Sequence, residues 1–187
     1  MRYCDSTLKH YLEYLAAKKP APGGGSAAAL SAGLGAALIS KVINFTIGKP
    51  AYLAYEADLR TMLKISEEAR TVFLRFVDED ASAFAGKDMD ACLNVPLSVS
   101  RLCYDMICLC PDLVRISNKN LASDVAVSAM LLESAFFSAL VNVEINLKFC
   151  THKKTVASVH KEMRRKSAVV KTMRVKTEKK VGEFIRG

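Results

Sequence analysis

The sequence predicts an all-α protein, a bundle of about five or six long helices. Its 187 residues are 51% hydrophobic and 25% charged, a composition typical of one globular domain rather than of a disordered chain. Apolar side chains recur at spacings of three, four and seven along most of the chain, as on one face of a helix. No alternating strand pattern of useful length and no internal repeat are present.

The first two predicted helices flank a segment that cannot be helical. Asp5 or Ser6 is expected to cap a first helix that stops before the run Pro20–Gly25. The prolines of this run lack amide donors, and its glycines favour unusual backbone angles. Ser26 is then a natural N-cap for a second helix that extends to about Thr46. That helix is rich in Ala, Gly and Ser, which indicates that another backbone packs very close to it.

Prolines set the expected bounds of the third and fourth helices. Pro50 suits the first turn of a third helix that runs to about Phe84. After a short polar link, Asn94 and Pro96 are expected to open the fourth helix. Pro111 is expected to kink or end that helix, because a proline cannot donate the helical hydrogen bond.

The last two helices follow from a cap and from periodicity. Ser123 or Asp124 is expected to cap a fifth helix that reaches about Cys150. A sixth helix is predicted over about 153–185, where apolar residues recur at helical spacing.

The basic charge is concentrated at the C-terminal end. The net charge is +8, and residues 152–187 hold 12 Lys and Arg against 3 Asp and Glu. We therefore expect a nearly neutral helical domain over 1–150 and a basic C-terminal helix over 151–187 packed on it. The basic face suits solvent, an anionic small molecule, an anionic membrane surface or nucleic acid. Nucleic acid is disfavoured because Phe184 is the one aromatic side chain there that could stack on a base.

Several kinds of site are disfavoured by the composition. The six cysteines are expected to be free thiols, and the polar N-terminus shows no signal-peptide pattern, so we expect a cytoplasmic protein. Cys103, Cys108 and Cys110 lack a second pair at zinc spacing, so no metal is expected. The uncharged stretch Ser26–Ser40 is shorter than the roughly 20 residues of a membrane span, so no membrane partner is expected. No histidine lies beside a candidate nucleophile, which argues against a Ser–His or Cys–His hydrolase.

A candidate catalytic carboxylate lies on the third helix. Asp80 shares one face with Phe73, Phe76, Val77 and Phe84. An unpaired carboxylate in an apolar stripe is costly. Asp80 is therefore either paired with a cation or a helix N-terminus, or has a raised pKa that suits it for proton transfer.

The glycine run before the second helix is a candidate binding loop. Gly23, Gly24 and Gly25, followed by Ser26, expose backbone N–H groups at the positive end of a helix, which suits an anion or a carbonyl group. The loop is not a phosphate-binding Walker motif, because no Gly-Lys-Ser/Thr follows it. A tight turn between helices explains the glycines equally well.

Three polar residues share a face of the fifth helix. Asn142 and Asn146 are one turn apart and can hold the two ends of a planar amide-like ligand, or can bond to a neighbouring helix. Asp124 lies roughly 27 Å from Asn142 along that helix. The two cannot serve one small pocket in the same subunit unless the ligand is long, and an N-cap role for Asp124 is the alternative.

Several motifs in order along residues 5–150 resemble the cyclodeaminase/cyclohydrolase family. This family comprises the C-terminal domain of formiminotransferase-cyclodeaminase and stand-alone bacterial proteins. The motifs are Pro20–Ser26 with the small-residue helix behind it, Asn44–Lys49, Asp80–Phe84, Asn118–Asp124 and Val141–Lys148. Together they are far more specific than the glycine loop alone.

The resemblance implies a folate enzyme that works as a homodimer or a larger assembly. Family members convert 5-formimino-tetrahydrofolate to 5,10-methenyl-tetrahydrofolate with loss of ammonia, or interconvert the methenyl and 10-formyl forms by hydrolysis. Neither reaction needs a metal or redox cofactor, so none is implied beyond tetrahydrofolate as substrate. The implied catalytic residues are Asp80 and Asp124, and the implied substrate-binding residues are Gly23, Gly24, Gly25, Ser26, Lys49, Asn142 and Asn146.

Some features of the chain depart from that family or refine the expectation. Ten residues, 85–94, separate Phe84 from Val95–Leu97, where family members usually carry a longer segment, which predicts a more open or altered pocket. The sequence carries no formiminotransferase domain, which slightly favours the cyclohydrolase reaction. A polyglutamylated folate tail is the anion best suited to the basic helix. The alternative function is a non-catalytic helical dimer that binds an anionic partner through this helix.

Overall fold

The computed structural model describes residues 2–186, and over that range the regular secondary structure is all helical, with six α-helices, three short 3₁₀ turns and no strand. The predicted all-α class is confirmed. The helices are α1 (Leu8–Ala16), α2 (Gly24–Asn44), α3 (Glu56–Gly86), α4 (Met89–Ile116), α5 (Ala122–Leu147) and α6 (Lys153–Arg186). The 3₁₀ turns span Tyr3–Asp5, Pro50–Tyr55 and Lys119–Leu121.

Helix α2 lies at the centre of the bundle, between α3 and α5. Its small residues allow the close approach to α5 that the sequence indicates. A Cβ added to Gly35 would lie 2.8 Å from Leu132 Cγ, and Ser128 Oγ donates to the Gly35 carbonyl at 2.8 Å. By length and composition α2 and α5 could each cross a membrane. Their central position accounts for that apolar character, because the inner face of each helix forms the core.

The first two helices do not begin where capping preferences suggest. Thr7 caps α1 by accepting from the His10 N–H at 3.2 Å, so the expectation of Asp5 or Ser6 is wrong. Helix α2 begins at Gly24 with Gly23 as N-cap, so the N-cap expected at Ser26 is also wrong. The Ser26 hydroxyl instead donates to the Val77 carbonyl of α3 at 2.9 Å.

Helix α4 begins earlier and continues further than predicted. Its N-cap is Asp88, whose carboxylate accepts from the Ala91 N–H at 3.0 Å. Residues 87–88 alone therefore connect α3 to α4, with Lys87 in the left-handed region at φ 53°. Pro96 and Pro111 both lie inside α4. Pro96 does not open the helix, and Pro111 does not end it.

Helix α5 starts at Ala122, with Leu121 in the N-cap position, so neither Ser123 nor Asp124 caps it. The carboxylate of Asp124 lies in the first helical turn and pairs with Lys41 Nζ of α2 at 2.8 Å. The helix ends at Leu147, three residues before the predicted end, because a turn follows at residues 148–149.

Helix α6 packs against α4 and α5 and agrees with the predicted range. Its buried face includes Val159, Met163, Val170 and Val181. Charged contacts add to this packing, since Arg101 of α4 makes a two-pronged ion pair with Glu162 at 2.9 and 2.6 Å.

The basic face of α6 is not uniformly solvated. Arg174 is half-buried and pairs with Glu133 of α5 at 2.6 Å and with Glu178, so it does not belong to the solvated face. Arg164 and Arg165 are exposed.

Candidate functional site

A cavity of about 270 Å³ opens where the start of α2 meets α3, α4 and α5. Six of the sequence-predicted site residues line it, namely Gly23, Gly24, Gly25, Asp80, Asn142 and Asn146. A larger open groove of about 460 Å³ between α3 and α4 holds none of them. The smaller cavity is therefore the candidate site.

The Asp80 carboxylate is seated on the first turn of α2. A Cβ built on Gly25 would lie 2.0 Å from Asp80 Oδ1, so only glycine leaves room for the carboxylate at this point. Burial raises the pKa of Asp80, and a hydrogen bond from the Ser26 backbone N–H lowers it by less. No basic side chain of the described residues contributes to this balance. Asp80 thus combines two of the predicted alternatives, a helix N-terminus as partner and a raised pKa.

The close contact gives Gly25 a structural role in addition to the predicted one. Gly25 lies beneath the Asp80 carboxylate and leaves room for it. Gly24 lies nearer to Asn142, since a Cβ there would be 3.8 Å from the amide nitrogen.

A buried hydroxyl pair holds the first turn of α2 against α3. Ser26 is fully buried, and its hydroxyl lies 3.1 Å from the Tyr11 hydroxyl. Because Ser26 Oγ donates to the Val77 carbonyl, Tyr11 is the donor to Ser26. The sequence analysis assigns no functional role to Tyr11. A tyrosine on a buried face needs a partner for its hydroxyl, and this requirement is the signal that could have found it.

Asn142 and Asn146 line the cavity, and the side-chain oxygen of each is free to accept a hydrogen bond. Asn142 Nδ2 donates to the Ser138 carbonyl at 2.9 Å, and Asn146 Nδ2 donates to the Cys92 carbonyl at 2.6 Å. Only the nitrogen of a carboxamide can donate, so these carbonyl partners fix which way each amide faces. Neither Oδ1 accepts a hydrogen bond within residues 2–186. With Asp80, the site therefore offers three acceptor groups to a ligand.

Lys49 and Asp124 lie away from this cavity. Lys49 is exposed just beyond the end of α2, and Asp124 lies at the start of α5. Helix α2 is 21 residues long, so its two ends are about 30 Å apart. The structure therefore separates these two residues from Asp80 within one subunit, as the helical spacing of Asp124 and Asn142 indicates.

The far end of α2 carries a second group of motif residues, which we call the distal cluster: Lys41, Thr46, Lys49, Asn118 and Asp124. Two contacts lie within this cluster: the Lys41–Asp124 ion pair, and a hydrogen bond at 3.0 Å from the Asn118 N–H to Thr46 Oγ1. Thr46 is fully buried. The resemblance motifs thus fall into two groups at opposite ends of the subunit.

No metal centre is formed by the part of the chain that the structure describes. Within residues 2–186, no three His, Cys, Asp or Glu side chains lie close enough together to hold a metal ion. Cys92 borders the cavity, and burial raises the pKa of its thiol, with Asp80 adding to that effect. It is therefore a neutral thiol rather than a thiolate at neutral pH.

Comparison with known proteins places these features in a family. The family model described as formiminotransferase-cyclodeaminase matches residues 7–89 and 86–165. The two matched segments overlap at residues 86–89, which include the turn between α3 and α4. The resemblance drawn from the motifs is confirmed.

Two curated relatives and one solved structure give the extent of the likeness. The chain is 34% identical to a methenyltetrahydrofolate cyclohydrolase of Methylorubrum extorquens over 77% of its own length and 80% of that protein. It is 31% identical to the formimidoyltransferase-cyclodeaminase of Mus musculus over 79% of its own length but only 31% of that protein. A crystal structure of formiminotetrahydrofolate cyclodeaminase from Thermotoga maritima superposes with a TM-score of 0.90. That pair is 27% identical, with 97% of this chain and 98% of the other covered.

Proposed function

Because the chain belongs to the formiminotransferase-cyclodeaminase family, we propose that it transforms the one-carbon unit of a tetrahydrofolate in the cavity around Asp80. The chain is a folate one-carbon enzyme, a methenyltetrahydrofolate cyclohydrolase or a formiminotetrahydrofolate cyclodeaminase. Of the two, we favour the cyclohydrolase. The relative with that name has the higher sequence identity, 34% against 31% and 27% for the two cyclodeaminases compared above.

The observation that carries the proposal is the state of Asp80. Its raised pKa and the absence of a cationic partner among the described residues make it a carboxyl group that can both take up and release a proton. In the hydrolytic reaction, water adds to the methenyl carbon, and the Asp80 carboxylate takes a proton from that water. The bond from this carbon to N5 then breaks, and N5 receives the proton held by Asp80. The hydroxyl on the carbon loses its remaining proton to solvent, and the resulting formyl group stays on N10.

The same carboxyl group suits the deamination. There N10 of the folate attacks the formimino carbon, and the departing nitrogen must gain a proton to leave as ammonia. Asp80 in its protonated form supplies it, and the N10 proton returns to the carboxylate. Neither reaction changes the oxidation state of the carbon, so no redox cofactor is needed. We propose that no metal is used either, because Asp80 can carry out the proton transfers.

We further propose that the enzyme is a homodimer or larger. Helices α2 and α5 together expose an apolar face, which we define by Leu34, Val127, Met130, Val141 and Ile145. A groove of about 510 Å³ on this face shares Gly24 and Asn142 with the Asp80 cavity. An exposed apolar face of this kind is typical of a protein interface, and an antiparallel partner would bring its distal cluster towards the cavity.

Two further parts of the proposal concern partners and location. A pocket of about 160 Å³ adjoins the cavity, shares Asn146 with it, and extends to His152, just before α6. This path supports a polyglutamylated folate tail lying along the basic helix, in preference to a membrane or nucleic acid as the anionic partner.

The six cysteines are free, which fits a reducing compartment such as the cytoplasm.

The test of the function is direct. Purified protein should accelerate the loss of methenyl-tetrahydrofolate absorbance above the uncatalysed rate, and ammonia release from formimino-tetrahydrofolate is measured in parallel. Asp80→Asn should lower the active turnover at least about 100-fold, the usual contribution of a general acid or base. A wild-type protein that accelerates neither reaction, or a fully active Asp80→Asn variant, would contradict the proposal.

A further inference from the structure

Pro96 removes one hydrogen bond from the interior of α4. In an α-helix the N–H of residue 96 would bond to the carbonyl of residue 92, but proline has no N–H. The Cys92 carbonyl therefore lacks its helical donor, and a carbonyl left unpaired away from water is costly. In this structure Asn146 Nδ2 of α5 fills the gap, donating to the Cys92 carbonyl at 2.6 Å.

This contact sets the orientation of Asn146 in the candidate site. Because the amide nitrogen is held by Cys92, the oxygen is the end left for a ligand. Asn146 lines the cavity together with Asp80 and Asn142, and its Oδ1 accepts no hydrogen bond from the described residues. The orientation of a side chain on α5 thus depends on a proline in α4.

We infer that Pro96 is a positioning residue for ligand binding: by freeing the Cys92 carbonyl, it holds Asn146 with its oxygen towards the cavity. Asn142 Oδ1 and the Asp80 carboxyl group complete a wall of acceptors. Three hydrogen-bond acceptors around one cavity favour a ligand surface that is rich in N–H groups. This step rests on the proposed function: in a reduced folate, that surface is the ring end rather than the carboxylate tail. The buried Pro96 itself does not line the cavity.

The variant that tests this is Pro96→Ala. It restores the N–H at position 96, which then competes with Asn146 for the Cys92 carbonyl. The KM for methenyl-tetrahydrofolate should rise about tenfold, the cost of misplacing one hydrogen-bonding group, with a smaller change in kcat. The melting temperature should not fall, because alanine favours a helix interior more than proline does.

Two controls separate positioning from a general packing effect. Pro111→Ala makes the same change in the same helix, at a buried proline that does not line the cavity, and should leave KM unchanged. In an Asn146→Ala background, Pro96→Ala should cause no further rise in KM. An unchanged KM in Pro96→Ala, or an equal rise with and without Asn146, would overturn the inference.

A measurement without substrate keeps this inference separate from the proposed function. The Asn146 carboxamide signal is assigned in a ¹H–¹⁵N spectrum by its loss in Asn146→Ala. In Pro96→Ala that signal should shift and exchange faster with solvent, whereas in Pro111→Ala it should not. If the wild type turns over no folate but the signal responds in this way, the positioning role stands and the function fails. An unresponsive signal overturns the positioning role whatever the activity.

Discussion

At the scale of single residues, the charge on Asp80 opposes folding. Burial raises the pKa of this carboxyl group above its ordinary value of 3.8, so the folded state holds the proton more tightly than the unfolded state. Well below pH 3.8, Asp80 is protonated in both the folded and the unfolded state, so it does not affect the free energy of unfolding. As the pH rises from there through the raised pKa of the folded state, the free energy of unfolding falls.

Asp80→Asn should therefore stabilise the protein at neutral pH while abolishing activity. The gain in melting temperature over the wild type is expected at pH 7 and should shrink towards zero as the pH falls to 3.8, because the wild-type carboxyl is then neutral as well. Thermal unfolding of both proteins across this pH range checks it. A variant that is less stable than the wild type at pH 7 would show that Asp80 is paired rather than strained by burial.

Gly25 is the second residue with a defined task. In Gly25→Ala the new methyl group would meet the Asp80 carboxylate at 2.0 Å, so the carboxylate must move off the first turn of α2. We expect turnover to fall at least about tenfold, since a displacement of one ångström in a catalytic group is costly. Gly86→Ala is the matched control, because a Cβ there has nothing within 4 Å. Equal activities of Gly25→Ala and Gly86→Ala would show that the position of the Asp80 carboxylate does not depend on Gly25.

The residue scale also shows how far the sequence alone reaches. The apolar stripe around Asp80 is a local pattern, so the burial of a lone carboxylate on the third helix is predictable. The orientation of Asn146 is not, because its partner is the main-chain carbonyl of Cys92 in another helix. The only sign in the sequence that the Cys92 carbonyl needs another partner is Pro96, four residues later, which lacks the N–H that would bond to it.

At the scale of elements, periodicity predicts the helices and local capping rules misplace their ends. Ser26 has the residue type of an N-cap, yet its hydroxyl is fully buried and bonds to Val77 of α3. A tertiary partner thus outweighs the local preference. Pro96 has the residue type of a helix start, but Asn146 satisfies the carbonyl that it frees, and α4 begins at Met89.

The proposed role of helix α6 in binding a polyglutamylated tail can be tested by reversing the charge of its exposed arginines. Arg164 and Arg165 are exposed and join no ion pair within residues 2–186. Reversing both to Glu should raise KM for a polyglutamylated substrate and leave the monoglutamate little changed, because only the longer tail reaches the basic helix. Reversing the exposed Lys9 and Lys64 in the same way is the control for net charge. Equal effects on both substrates, or tight salt-sensitive binding to DNA or RNA, would contradict the role.

At the scale of the whole molecule, the motif residues form two groups at opposite ends of α2 and α5. Asp80 and the two asparagines lie at one end, and the distal cluster with Asp124 lies at the other. The apolar face of α2 and α5 runs between them. In a two-fold dimer each subunit uses the same face, so an antiparallel arrangement sets the Asp80 cavity of one subunit against the distal cluster of the other.

This arrangement predicts complementation between two inactive variants. Asp80→Asn and Asp124→Asn should each be inactive alone, because every site lacks one of the two carboxylates. Unfolded together in equal amounts and refolded, they form mixed dimers in half of the cases. Each mixed dimer has one site with both carboxylates intact, so activity should return to about a quarter of the wild-type value.

Each variant refolded alone serves as the control, and sedimentation establishes that the refolded species are dimers. A mixture that stays as inactive as its components would mean that Asp80 and Asp124 do not meet across subunits. A fully active Asp124→Asn variant would confine the distal cluster to a structural task, in which the Lys41–Asp124 ion pair joins α2 to α5. Recovery of activity requires that each functional site be shared, since in one subunit the two carboxylates are held apart by the length of α2 and α5.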